Sequence, residues 1–540
     1  MAISAAAAPA APGEAAPAAQ AAPPGAASPP AVLPPLKGSA LVLGTVALSL
    51  ATFMNVLDTS IANVSIPAIA GDMGVSPSQG TWVITSFAVA NAISVPLTGW
   101  LTQRFGPVRL FVSSILLFVI ASWLCGLAPN IGALIAFRVV QGLVAGPMIP
   151  LSQTLLLSSY PRAKAGTAMA MWAMTVLVAP VVGPLLGGWI TDDIAWPWIF
   201  YINIPVGLVA AAFAWSIYRT RDPGPKHAPL DYVGLGLLVV WVGAMQIMID
   251  KGKDLDWFGS NLIVVLGVVA VVGFAFFLAW ELTDKHPVVD LRLFARRNFL
   301  MGTIALSIAY GLFFGNVVLL PLWLQQYMGY TATWAGVALA PVGVFAILLS
   351  PWVGKNVARI DPRRLATVAF LGFALILWMR SRFTVQADLM TVLVPTIVQG
   401  AAMAFFFIPL QAIIFSGLEP DRMPAAAGLS NFARITAGAI GTSIFTTAWE
   451  DRATLHHAQL AESINRGNDA ATLALGQLGS SGYDAAQSLA TINRMVDVQS
   501  YTMAATDLFL LSAGLFLVLL VLVWLTHPAP GGAAAAGGAH

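Results

Sequence analysis

The sequence predicts an all-α membrane protein. Fourteen transmembrane helices form two pseudo-symmetric six-helix halves, with two more helices inserted between them. Three observations predict this. The 540 residues are 58% hydrophobic and only 9% charged, with mean hydropathy +0.81, where a soluble protein carries about 25% charged residues. Apolar runs long enough to span a bilayer recur from end to end. The chain also repeats itself. Gly99, Arg104, Pro107, Arg109 and Leu110 return as Gly354, Arg359, Pro362, Arg364 and Leu365, all 255 positions later, and Val140, Gln141 and Gly142 return as Val398, Gln399 and Gly400.

Taken in order, residues 1–38 are Ala/Pro/Gly-rich and read as a disordered cytoplasmic tail, without the basic start and short apolar core of a signal peptide. Spans are expected at 40–69, 79–101, 108–128, 131–153, 165–190 and 198–218, making an N-terminal half over 39–220. Two inserted spans, 230–249 and 260–282, occupy 221–285. Spans at 299–322, 333–356, 364–381, 389–416, 424–448 and 505–526 make a C-terminal half over 286–527. Its segment 449–504 is a long extracytoplasmic connection, and 528–540 is a second disordered tail. With both termini cytoplasmic, 17 of the 26 Lys and Arg fall in inside segments and seven, Arg380 among them, in outside ones, while Arg138 and Arg434 lie within spans. That bias supports the orientation and the even span count. Parallel halves related by an axis along the membrane normal place a site near the midplane between them.

Several functions are excluded. A net charge of +2 makes no case for nucleic acid, and the single cysteine, Cys125, excludes an internal disulfide and a Cys-based metal site. There is no G-x-x-x-x-G-K loop for an ATP motor and no nucleophile-elbow or metalloprotease signature, so neither an enzyme nor a cofactor is expected. His456 and His457 have no third ligand at helical spacing and read as surface residues, so no metal is expected either. Uphill movement of a solute would need an ion gradient or a partner.

Within the fifth span, Ala179, Gly183 and Gly187 recur every four residues and form a small-residue ridge on one helix face. Pro180 and Pro184 bend that span. The ridge is either a close helix crossing or a seal on one side of a transport path. Charges within spans are few and therefore informative. Asp58 lies well inside the first span, where burial makes a carboxylate's charge costly, so a proton could move on and off it. The alternative is a structural Asp bonded to Thr59 or Ser60. Arg138 in the fourth span, and Arg434 in the thirteenth, cannot lose their protons and need acceptors or a wet cavity. Each either tunes a nearby acid or is structural. Asn63, Asn91, Gln153, Asn316, Gln325, Gln411 and Asn431 also interrupt spans, each alone more often as inter-helix glue than as a ligand contact. Should they face one cavity, Trp172, Met174, Phe314 and Phe406 stand near them in sequence for bulky amphipathic ligands. The basic loops Arg104–Arg109 and Arg359–Arg364 are topogenic charges that can also cap helix ends and tie the halves together.

These stretches resemble the major facilitator superfamily, and within it the fourteen-span drug:proton antiporters that serve as pumps of tripartite efflux systems. G-W-L-T-Q-R-F-G-P-V-R-L (99–110) is similar to the family's loop after the second span, R-V-V-Q-G (138–142) to the fourth-span motif, and A-P-V-V-G-P-L-L-G-G (179–188) to the fifth-span antiporter motif. L-D-T-S-I-A-N-V-S-I-P (57–67) is similar to the first-span motif. W-V-I-T-S-F-A-V-A-N-A-I-S-V-P-L-T-G-W (82–100), W-I-F-Y-I-N-I-P-V-G (198–207), G-Y-T-A-T-W-A-G (329–336) and H-H-A-Q-L (456–460) are more specific still. One departure is Gln103, where the loop motif usually has an acid.

The resemblance implies the major facilitator fold and proton-driven export of varied hydrophobic toxicants across a bacterial inner membrane. It also implies a periplasmic adaptor of the EmrA type and an outer-membrane channel of the TolC type. It assigns proton coupling to Asp58 and the fourth-span relay role to Arg138; Arg434 is a further candidate only as a charge within a span. Gly183, Pro184, Gly187 and Gly188 become the antiporter seal, and Gly99, Arg104, Arg109, Arg359 and Arg364 the cytoplasmic gating loops. Apart from the resemblance, Asn63, Asn91, Gln141, Gln153, Trp172, Asn316, Gln325, Gln411 and Asn431 are the candidates for the substrate pathway by their own pattern. Three rivals remain: a dedicated exporter or flippase for one lipid or metabolite, a gradient-independent facilitator, and a membrane enzyme.

Overall fold

Proline, glycine and short polar caps set where the helices of this chain begin, bend and stop. Gly106, at φ 85°, ends one helix in a conformation that L side chains rarely adopt, and Pro107 starts the next at the position where its missing N–H costs nothing. The repeat copy uses Asp361, whose side chain accepts from the Arg363 N–H, followed by Pro362. Asn130, Asp231, Asp388 and Asp484 cap other helix starts in the same way.

The computed structural model describes residues 34–161, 164–225, 229, 231–330, 332–462, 464 and 468–528. Most of both expected tails lies outside them. The described helices are α1 (Gly38–Asp72), α2 (Pro77–Gly80), α3 (Trp82–Ser94), α4 (Thr98–Phe105), α5 (Pro107–Gly126), α6 (Ile131–Ala145), α7 (Met148–Ser159), α8 (Ala165–Asp193), α9 (Trp198–Tyr201), α10 (Asn203–Tyr218), α11 (Tyr232–Lys251), α12 (Asn261–Thr283), α13 (Arg297–Gln326), α14 (Ala332–Asn356), α15 (Pro362–Arg380), α16 (Leu389–Ala404), α17 (Phe407–Ile414), α18 (Met423–Glu462), α19 (Asp469–Ser480) and α20 (Ala485–Trp524). Short 3-10 turns join some of them, and no strand occurs among the described residues.

Eleven of these helical stretches are long and apolar enough to cross a membrane, and the α3–α4 pair, bent by 65°, makes a twelfth if counted as one span. By length and composition the expected fourteen are therefore not all reached. Two expected spans are not counted. Residues in the second half of α8 lie partly outside the described ones, so only its shorter apolar stretch Ala165–Val176 counts. α18 is rich in Ala, Gly, Ser and Thr and carries Arg434, Glu450, Asp451 and Arg452.

The expected connection 449–504 is mostly helix. α18 runs on to Glu462, α20 begins at Ala485, and α19 lies between them. Two histidines tie the extensions together. His456 Nε2 is 2.9 Å from Asp507 Oδ2, and His457 Nε2 is 3.3 Å from Asp497 Oδ1.

Packing repeats along the chain. α1 packs on α8 and α10 as α13 packs on α18 and α20, and α3 packs on α6 as α14 packs on α16. The repeated glycines explain where. A Cβ on Gly142 would meet Ala90 and Asn91 of α3, and one on Gly400 would meet Val342 and Phe345 of α14. Gly99 and Gly354 make a second matched pair. A Cβ on Gly99 would lie 2.7 Å from that of Ala425 in α18, and one on Gly354 would lie 2.6 Å from the Gly166 carbonyl oxygen in α8. Both contacts lie beside the two basic loops. Four exposed arginines, Arg104 and Arg364 near helix ends, Arg109 in the first turn of α5 and Arg359 in the turn after α14, flank them, and Arg109 sits 3.7 Å from the buried Asp222 carboxylate. The α11–α12 pair packs chiefly on itself and on α3.

Candidate functional site

Asp58 is fully buried about two-thirds of the way along α1. An ionised carboxylate there needs several donors, and two helices besides its own supply them. Arg138 of α6 reaches Oδ2 at 2.6 Å. Gln141, one turn further along α6, donates to Oδ1 at 3.1 Å, and Asn203 at the start of α10 does so at 2.8 Å. The i, i+3 spacing of Arg138 and Gln141 puts both on one helix face, and Arg138 also donates to Gln141 Oε1 at 2.6 Å. Ser122 of α5 receives Gln141 Nε2 at 2.7 Å and Asn203 Nδ2 at 3.3 Å. Arg138 Nε donates to the Val83 carbonyl at 3.0 Å, and its guanidinium lies 4.2 Å from the centre of the Phe87 ring. The Arg138 charge and these neutral donors together hold Asp58 as one half of a fully buried ion pair. Adding a proton to Asp58 cancels its charge and leaves Arg138 with Gln141 and a carbonyl.

Neither Thr59 nor Ser60 is needed to explain Asp58. The Thr59 hydroxyl donates to the Asn55 carbonyl instead. Sequence reasoning missed Ser122 and Asn203. Asn203 stands in W-I-F-Y-I-N-I-P, a polar residue inside an apolar run, and that was its signal.

Arg434 belongs to a different cluster. No hydrogen bond or ion pair among the described residues joins it to Asp58 or Arg138. It is buried on α18, donates to Asn431 Oδ1 at 2.8 Å, and lies 4.6 Å from the centre of the Tyr310 ring, with Phe407 and Trp172 further off. Among the described residues its Nε and Nη1 have no hydrogen-bond partner, and it forms no ion pair. Asn431 donates across to Gln153 Oε1 of α7 at 3.0 Å. Gln153 Nε2 and both polar atoms of Gln411 on α17 are also buried without partners. Unsatisfied buried polar groups are rare in a native protein. Those of Arg434 and Gln153 are joined through Asn431 and stand beside the Tyr310, Phe407 and Trp172 rings.

The remaining sequence candidates divide. Gln153, Trp172, Asn431 and Arg434 come together. Gln141 serves the Asp58 network. Asn316 is held within the second half by Leu312 and by Ser512 at 3.1 Å. Asn91 is buried, whereas Asn63 and Gln325 are exposed. The polar set therefore does not line a single cavity.

The small-residue ridge of α8 lies on α1. A Cβ on Gly183 would come 2.5 Å from Ser60 Oγ, and one on Gly187 would come 2.9 Å from Ile61. Gly188 has open space, and the Pro184 side chain lies outside the described residues. The ridge thus joins the helix that carries Asp58 to the helix that carries Trp172.

Arg380, expected among the extracytoplasmic charges, is instead buried, and donates to Gln399 Oε1 at 2.6 Å. The 255-residue offset maps it onto Cys125, whose thiol lies 3.6 Å from Gln141 Oε1. The repeat is thus preserved in position while its chemistry differs.

Known proteins share this architecture. The sequence profile of the Major Facilitator Superfamily matches residues 48–442. The chain is 52% identical to the multidrug export protein EmrB of Escherichia coli K12, over 94% of this chain and 99% of that protein. It is 48% identical to the fatty acid resistance protein FarB of Neisseria gonorrhoeae, over 92% and 98%. Among solved structures, the human organic anion transporter MFSD10 superposes with a TM-score of 0.57 at 13% identity, covering 90% of this chain and 100% of that one. A double-tryptophan mutant of XylE gives 0.53 at 16% identity, over 91% and 100%. Those two likenesses concern the fold alone.

Proposed function

The chain belongs to the major facilitator superfamily, a multi-pass membrane transporter rather than an enzyme, and from that premise we propose that it is a proton-driven exporter of varied hydrophobic toxicants. It works as the inner-membrane pump of a tripartite system, with a periplasmic adaptor of the EmrA type and an outer-membrane channel of the TolC type. Its spans number fourteen, six and six with two inserted, and both termini are cytoplasmic. The observation that carries the reading is the fully buried Asp58–Arg138 pair at 2.6 Å, supported by the near full-length likeness to EmrB.

The contacts give the mechanism a route. Protonating Asp58 releases α1 from Arg138. α1 bears Ser60 and Ile61 against Gly183 and Gly187 of α8, so a shift of α1 is passed to α8. α8 in turn carries Trp172 at the Arg434 cluster and Gly166 against Gly354. Proton and solute thus bias the same pair of helices from different ends, as alternating access requires. The energy comes from the proton gradient, without a cofactor. A buried cation ringed by Tyr310, Phe407 and Trp172 suits neutral or weakly acidic hydrophobic solutes rather than dications. The likeness to FarB favours a second reading, an exporter of one amphiphilic acid or lipid on the same fold.

The test is efflux of a hydrophobic fluorescent dye from cells expressing the protein with its adaptor, before and after the gradient is collapsed with nigericin and valinomycin in potassium. Efflux is expected to stop on collapse. Efflux that persisted would discard proton coupling, and a resistance spectrum confined to one compound class would select the second reading.

The helical extension over 449–504 is the adaptor-binding part in this proposal. α19 presents exposed Leu473, and Tyr483 beyond it is exposed as well. Replacing residues 463–484 with a short Gly/Ser linker is expected to abolish co-purification of the adaptor and leave the pump monodisperse. Undiminished co-purification would exclude this segment.

A further inference from the structure

Beside the α11–α12 hairpin runs a cavity of about 1090 Å³ that the transport mechanism does not use. Its walls come from α11 and α12, from α18 and α13, and from the 3-10 turn Leu291–Ala295. It reaches from Met248 and Phe258 at one end of the hairpin to Leu282, Leu291 and Leu300 at the other, so it runs nearly the length of α12. Every lining residue is apolar or glycine.

A pocket that selects a solute holds a few placed polar groups that orient it, and at drug size encloses about 300–1000 Å³. This groove is somewhat larger than that range and offers no charged or hydrogen-bonding side chain beyond one tryptophan ring, so it is shaped for long hydrocarbon. It is continuous with the outer face of α12, the least buried of the candidate spans, where Val265, Val271 and Phe276 are exposed. That apolar surface, in a chain that spans a membrane, faces acyl chains.

One end of the groove carries both signs of charge: Asp290, between Val289 and Leu291, is 3.9 Å from Arg422, which leaves two further arginines. Arg292 lies between Leu291 and Phe294, and Arg297 between Phe294 and Leu300, three residues that line the groove. Both arginines are exposed, and neither forms an ion pair among the described residues. Basic side chains at the membrane surface, next to a cleft between helices, attract anionic headgroups. We propose that this groove holds the acyl chains of an anionic phospholipid whose headgroup is met by Arg292 and Arg297. The bound lipid touches Leu429 and Phe432 of α18 and Pro96 at the bend between α3 and α4. It thereby acts as a packing element of the helices that carry Arg434 and Gly99.

The test is native mass spectrometry of the full-length protein released from detergent micelles doped with phosphatidylglycerol or phosphatidylcholine. The wild type is expected to retain phosphatidylglycerol at about tenfold lower lipid concentration. The Arg292→Gln/Arg297→Gln double variant is expected to lose that preference while still retaining lipid of both kinds. A Val268→Trp/Val271→Trp variant, which fills the groove, is expected to lose both. Equal retention of the two lipids by the wild type would overturn the proposal, as would a preference that survives the double arginine change. Displacement of the lipid by the transported dye would make the groove a solute site and overturn it too. Should the groove-filling variant fail to fold, photoactivatable phosphatidylglycerol on the wild type locates the lipid directly. Adducts are expected on α11, α12 and Phe432, and adducts only elsewhere would refute the site.

Discussion

Asp58→Asn is expected to lower gradient-driven dye efflux to the level of cells lacking the protein. The substitution removes the titratable group and keeps the shape. The new amide would still offer an oxygen to Gln141 and Asn203, the two neutral donors that hold the present carboxylate. It would leave the Arg138 charge uncompensated, and breaking a buried ion pair by removing one partner costs about 3–5 kcal/mol. Lower yield is therefore expected alongside lost coupling, and the two have to be separated. The separating readout is dye exchange in proteoliposomes without a gradient. A folded but uncoupled carrier exchanges dye in both directions, whereas an unfolded one does not. Asp58→Glu keeps the proton site and is expected to retain part of the efflux. An Asp58→Asn protein with full gradient-driven efflux would remove Asp58 from the mechanism.

The second large effect is expected at Gly183. Its ideal Cβ would stand 2.5 Å from Ser60 Oγ and 2.6 Å from Ser60 Cβ, too close for any real side chain. Overpacking of this kind costs about 1–3 kcal/mol, against which Ala gains about 1 kcal/mol over Gly in a helix. Gly183→Val brings greater bulk and no such gain, and is expected to abolish efflux by forcing α8 off α1. Gly188→Ala, with nothing near its Cβ, is expected to be neutral or slightly stabilising. Adding Ser60→Gly to Gly183→Ala is expected to restore function, since Ser60 is the main obstruction. Thermal unfolding and dye efflux across these variants check the set. Equal losses at Gly183 and Gly188 would mean that the whole motif acts through something other than this contact.

Much of this was legible in the sequence, for identifiable reasons. Hydropathy reports burial in a membrane directly, so the apolar runs and the helices found there agree closely. The repeat at 255 positions foretold matched packing because its glycines mark close approach, and Gly99 and Gly354 do press on other helices. Asp58 and Arg138 were readable because a charge in a span is costly and therefore rare. Which partners each charge had was not readable, since hydrogen bonds between α1, α6 and α10 join residues 80 to 145 positions apart. Arg434 looked like Arg138 in sequence and differs from it in forming no ion pair among the described residues. Arg380 was misplaced because it stands at the very end of its span, where a charge counts as an outside one although this side chain is buried in the core. In α18, small and polar residues that pack against other helices lower the hydropathy, yet the expected span 424–448 falls within the helix.

The glycine contacts differ in what stands in the way, and that difference bears on how the sequence can drift over generations. At Gly183 the obstacle is the Ser60 side chain, so a change at one position can be answered by a change at the other, and the pair is free to wander together. Between Gly166 and Gly354 the obstacle is main chain, because a Cβ on either would fall on the other's carbonyl oxygen. No substitution elsewhere shortens a peptide group. A lineage that keeps this helix crossing must keep both glycines, and one that loses either must inherit a differently spaced pair of helices.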